Sequence, residues 1–137
     1  MDAIVHGCNC MHTMGAGIAL TIASMFPEAK RADLLTGYGI IDKVGSYSKA
    51  THVFDGLDYK LDILNAYTQF GIRNSNVPCV FRYDAFGQVI DKLNEEYAGK
   101  IVGMPWIGCG LAGGDKRKVL EILNNKVKSF ECRIYEL

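Results

Sequence analysis

The sequence has little proline, with Pro 3 in 137 residues, so few positions interrupt a helix or a strand ladder. It has no excess of either charge, Lys+Arg 15 standing against Asp+Glu 15 with a pI near 6.8. A broad nucleic-acid surface needs clustered cations to displace counterions, so none is expected. No apolar run approaches the ~20 residues of a membrane-spanning helix, so no membrane partner is expected either. The Cys 5 are Cys8, Cys10, Cys79, Cys109 and Cys132. An odd count, with no charged-then-apolar stretch opening the sequence, favours a reducing cytoplasm over a disulfide framework. Cys79 and Cys132 read as small buried hydrophobes. With no repeat, low-complexity tract or Ser/Pro-rich linker, residues 1–137 read as one domain. What is abundant is glycine, 15 residues gathered into clumps.

Apolar periodicity gives the element order. Ala3-Ile4-Val5-His6 reads as a buried strand. Ile18, Ile22, Met25, Phe26 and Ala29 form a helical stripe, Pro27 opens a second short helix, and Gly37 and Gly39 end it. Residues 46–54 and 59–68 are strand-like, with Asp55-Gly56 turning the chain between them. Phe86, Val89, Ile90, Leu93 and Tyr97 mark an amphipathic helix stopped at Gly99. A strand over 101–104, a helix carrying Val119, Ile122, Leu123 and Val127, and a strand over 132–137 complete the chain. The alternation predicts an α/β fold of three layers, a mixed central sheet with helices on both faces.

Strand, glycine-rich loop and helix occur in that order twice, over residues 3–20 and 101–119. In α/β sheets, loops at the C-terminal strand ends line the ligand crevice. Glycines let backbone amides approach a ligand, and a following helix N-terminus favours an anion. A chain of zero net charge can thus hold a diphosphate with dipoles. Other readings fail on the residues. Leu20 stands where Gly-x-Gly-x-x-Gly needs its third glycine, and no Gly-Lys-Ser/Thr occurs. A cysteine phosphatase needs arginine beside its thiolate, whereas Asp115 follows Cys109. His6-Gly7-Cys8-Asn9-Cys10-Met11-His12 is too crowded for one tetrahedral ion, so neither metal nor cofactor is expected.

These two blocks resemble the ligand loops of macrodomains, α/β modules that bind ADP-ribose. The first is Ala3-Ile4-Val5-His6-Gly7-Cys8-Asn9-Cys10 with Met14-Gly15-Ala16-Gly17-Ile18-Ala19; the second is Pro105-Trp106-Ile107-Gly108-Cys109-Gly110-Leu111-Ala112-Gly113-Gly114-Asp115. The likeness is greatest to the branch of ADP-ribose 1''-phosphate phosphatases and phage-encoded relatives, and residues 65–69 and Arg82-Tyr83-Asp84-Ala85 share in it. The resemblance implies a ligand site of Cys8, Asn9, Met14, Gly15, Ala16, Gly17 and Ile18 on loop one. On loop two it implies Ile107, Gly108, Cys109, Gly110 and Leu111. Asn9 would pair with the distal ribose, since an amide both donates and accepts, or else bond the backbone of its own loop.

The resemblance has two gaps. Macrodomains usually begin with a further strand and a Gly-Asp motif that recognises adenine, and that strand has no counterpart here. A related branch removes ADP-ribose from protein or nucleic acid with a lysine on the middle strand; residues 65–69 have none, and Ala112 stands where that branch has aspartate. For phosphate hydrolysis the candidates are Asp115, His6 and His12. Asp115 either positions water or caps the last helix, and His6 either donates a proton or bonds within the core. The expected ligand is a small ADP-ribose derivative, free or attached to a macromolecule. The expected function is binding with hydrolysis of ADP-ribose 1''-phosphate, the alternatives being a non-catalytic reader and a hydrolase of ADP-ribosyl adducts.

Overall fold

A computed structural model describes residues 1–12, 14, 17–71, 80–109 and 112–136. Five strands form one mixed sheet in the order β2-β3-β1-β4-β5: β1 Ala3–Asn9, β2 Tyr47–Val53, β3 Lys60–Gln69, β4 Ile101–Met104 and β5 Glu131–Ile134. Strand β1 pairs in parallel with β3 and β4, β4 does so with β5, and β2 alone runs antiparallel. Among the described residues four helices cover the sheet: α1 Gly17–Met25, α2 Pro27–Leu34, α3 Tyr83–Glu96 and α4 Lys116–Lys126.

Period-two alternation divides the strand residues between two apolar layers. Ala3, Val5, Leu64, Ala66 and Val102 pack with Phe86, Val89, Ile90 and Leu93 of α3 and with Val119 and Leu123 of α4. Cys8, Leu61, Ile63 and Tyr67 pack on the other face with Ala19 and Ile22 of α1 and Ala29 of α2. Each of the large side chains fully removed from water contributes about 1.5–3 kcal/mol. The three layers are therefore those expected from the sequence.

The boundaries differ in instructive ways. Strand β1 runs past His6 to Asn9, because β3 extends beside it and keeps its backbone groups paired through that end. Helix α3 begins at Tyr83, three residues before Phe86, the first position of its apolar stripe. Strand β5 starts at Glu131 and ends at Ile134, and Leu137 lies outside the described residues. A short 3-10 turn at Ile41–Lys43 left no trace in the apolar pattern.

Candidate functional site

Because β1, β3, β4 and β5 are parallel, their C-terminal ends share one edge of the sheet, and both glycine loops leave from it. The loops also touch at their base. A Cβ on Gly7 would stand 3.1 Å from the Ile107 Cγ2 and 3.2 Å from the Thr68 hydroxyl, so the missing side chain lets loop two close over β1.

In loop one, the register of β1 against β3 shifts between Cys8 and Asn9. Asn9 is 6% exposed, and its amide is engaged at both ends. Its Nδ2 donates to the Gly71 carbonyl, and its Oδ1 accepts from the Met11 N–H at 3.2 Å. The residue thus turns its own loop. Cys8 is buried toward α1 and α2, and burial pushes its thiol well above the ordinary range. Met14 is buried and Ile18 packs half-buried in that same layer. Gly17 opens α1 at φ 59. Thr13, Gly15 and Ala16 lie outside the described residues, as do Gly110, Leu111 and Cys79.

In loop two, Ile107 is buried in the layer of α3 and α4. Gly108 has φ 78, and a Cβ there would enter the ring of Phe81. The Gly114 N–H bonds the Gly108 carbonyl at 2.6 Å and closes the neck of the loop. Cys109 is half-buried beside the Ile107 carbonyl. Its pKa is raised by burial first; Lys116 acts to lower it and Asp115 to raise it, so the group stays a thiol.

The catalytic candidates are dispersed. His6 is 1% exposed, and its Nε2–H donates to Asn65 Oδ1 at 2.6 Å. Asn65 in turn donates to the Ala29 carbonyl and to Ser48 Oγ, each at 2.9 Å. Burial holds the His6 pKa below 6.5, so the ring is neutral at pH 7, and Asn65 links it to Ala29 of α2. A proton donor must reach the leaving oxygen, and His6 has protein on every side. His12 is in the left-handed region at φ 56, its Nε2–H bonding the Thr36 carbonyl at 2.8 Å and its ring edge-on to Tyr38. Asp115 is the N-cap of α4, accepting from the Arg117 N–H at 2.9 Å, while its own N–H donates to Tyr83 Oη at 2.9 Å. Among the described residues, no group of three His, Cys, Asp or Glu could hold a metal ion, and the described cysteines are free. No described helix is long and apolar enough to cross a membrane.

Phe81, Tyr83 and Thr36, which brace the loops, were not expected from their residue types. The available signal was indirect. Glycines at 108 and 114 leave room for a ring from elsewhere in the chain, a contact that leaves no trace in apolar periodicity.

No family model matches the sequence. A protein of Enterobacteria phage T4, described as an uncharacterized 17.5 kDa protein of the tk-vs intergenic region, is 35% identical over 138 residues, covering 97% of this chain and 84% of its own. A solved protein of unknown function from Bacteroides thetaiotaomicron has a TM-score of 0.78 at 25% identity, over 99% of this chain and 87% of that one. The macrodomain of Mycobacterium tuberculosis DarG has 0.67 at 21%, over 98% and 88%. Thermosipho africanus DarTG, solved in complex with ADP-ribose, has 0.71 at 16%, over 100% of this chain and 38% of that one. The sheet order, the two helical layers and these superpositions define a macrodomain fold. Within that fold, the chain belongs to the same family as the phage T4 protein.

Proposed function

We propose that this chain binds ADP-ribose or a derivative of it in the crevice between its two glycine loops. The observation that carries the reading is their pairing: both leave one edge of the sheet from the adjacent parallel strands β1 and β4, and each leads into a helix N-terminus. Amides and helix ends attract a diphosphate without requiring a cationic surface. The likeness to DarTG, solved with ADP-ribose, supports the same ligand class. Calorimetric titration with ADP-ribose, ADP and AMP tests it. ADP-ribose is expected to bind more tightly than ADP; equal affinities would remove the distal ribose from the site.

The geometry favours a reader over an enzyme, because His6, His12 and Asp115 all serve internal hydrogen bonds. Hydrolysis of ADP-ribose 1''-phosphate is a second reading, favoured by the exposed Asp115 at the exit of loop two. Water would attack phosphorus, releasing inorganic phosphate and ADP-ribose. Phosphate release that falls in Asp115→Ala would establish it; none above a buffer blank, with binding retained, leaves the reader. A de-modification assay on ADP-ribosylated protein or DNA tests the remaining adduct-hydrolase alternative.

A further inference from the structure

Loop two presents no charged side chain between Ile107 and Gly114, so anion binding there depends on where its backbone N–H groups point. Glycine backbone has the most conformational freedom to lose, and a loop this rich in it needs an external constraint. The segment 80–83 meets that need from the opposite side of the sequence. The Val80 N–H bonds the Ala112 carbonyl at 3.0 Å, Phe81 bridges to Gln69 of β3, and the Arg82 N–H bonds the Thr68 carbonyl at 2.8 Å. The segment is thereby stitched to the sheet on one side and to loop two on the other.

Its two aromatic residues reach both ends of the loop. The Phe81 ring lies against Gly108, and a Cβ on Gly114 would stand 3.1 Å from it and 2.5 Å from the Gly108 carbonyl. Phe86, deep in the α3 layer, backs the ring at 5.8 Å between centroids, and Tyr83 meets it edge-on at 5.0 Å. Tyr83 Oη then accepts the Asp115 N–H, the last backbone donor before α4.

We propose that Phe81 and Tyr83 are positioning residues of the ligand site: the ring sets the path of the loop at Gly108 and Gly114, and the phenol sets it at Asp115. The proposal rests on the ligand reading above, and its test separates the two. Backbone amide exchange is followed by NMR in wild type, Phe81→Ala, Phe81→Leu and Tyr83→Phe, alongside calorimetry with ADP-ribose. In Phe81→Ala the Gly114 and Cys109 amides are expected to exchange at least ~10-fold faster while β1 and β3 keep their protection, because the opening is local. ADP-ribose affinity is expected to fall ~30-fold in Phe81→Ala and to recover in part in Phe81→Leu, since an ordered loop is what the ligand needs. Tyr83→Phe keeps the ring, so only Asp115 exchange rises, with an affinity loss of about threefold for one hydrogen bond.

Unchanged loop-two exchange in Phe81→Ala, or an increase spread evenly over the sheet, would overturn the proposal and leave the ring as core packing. If wild type fails to bind ADP-ribose while exchange responds as stated, the brace stands and the ligand reading alone is lost. Should Phe81→Ala not fold, Phe81→Leu and the pair Gly108→Ala and Phe81→Leu/Gly108→Ala decide by coupling. The smaller side chain should relieve the clash made by the new Cβ, and strict additivity would refute the contact.

Discussion

Loop one is held by side chains of its own, and loop two from outside, by Phe81 and Tyr83 at positions where the loop itself has only backbone. Asn9 and His12 bind their loop to Gly71 and Thr36, and Asn9 turns it at Met11, through polar contacts that other residues could supply in part. Gly108 and Gly114 instead let backbone and ring approach where no Cβ fits. A polar tether that is lost costs about one hydrogen bond, and water replaces part of it. A steric fit that is filled has no such substitute, because close-packed neighbours must move. The loops therefore differ in how they fail, although they leave adjacent strands.

The largest effect is expected at Gly114. An alanine there meets the Gly108 carbonyl at 2.5 Å, backbone that cannot step aside. Gly114→Ala should cost about 1–3 kcal/mol by urea denaturation and abolish calorimetric ADP-ribose binding. Wild-type stability in that variant would break the contrast between the loops. Gly17→Glu at the exit of loop one should also abolish binding, yet lower stability by only about 1–2 kcal/mol for a side chain at φ 59. Retained affinity would put the ligand elsewhere.

The polar tether predicts smaller changes. His12→Ala loses the bond to Thr36 and keeps the left-handed backbone, so affinity should fall about threefold to tenfold with about 1 kcal/mol of stability. His12→Gly loses the same bond but relieves the backbone, and should be the more stable of the two in a thermal melt. The reverse order would show that φ 56 carries no strain.

The smallest effect is a pH slope away from both loops. Folding holds the His6 pKa below 6.5, so below that pH the unfolded chain binds more protons than the folded one. Stability present at neutral pH is then lost as pH falls through 6.5 toward the folded value. His6→Gln should be less stable at pH 7 and show a shallower decline toward pH 5 in urea midpoints. Parallel curves would mean that His6 is not the group responsible.

The fold was legible because its signals are local. The spacing of Phe86, Val89, Ile90 and Leu93 could describe only a helix with one buried face, and that face packs on the sheet. The addresses of the two loops followed from glycine between strand and helix. What the residues do within the loops depends on partners distant in sequence. Asn9 had a ribose or its own loop's backbone as partners, and the chain supplies one from far away, the Gly71 carbonyl just beyond β3. His12 was a candidate for proton transfer, but its Nε2–H is held by the Thr36 carbonyl just beyond α2. Asp115 was legible because an N-cap is a local motif; the bond of His6 within the core was also among the options its position left open, though its partner Asn65 was not.

Asn65 has a consequence for how the sheet assembles. Its amide joins His6 of β1, Ala29 of α2 and Ser48 of β2 at a single point inside the apolar layer. Were β3 to slide by one residue, the alternation would carry Asn65 to the opposite face, among Phe86 and Leu93, with donors and acceptor all unmet. Hydrophobic residues alone tolerate such a slip poorly; this one polar residue penalises it outright. Asn65 thus acts as a registration pin, aligning β3 with β1 so that Gly71, just beyond β3, comes level with Asn9 in loop one.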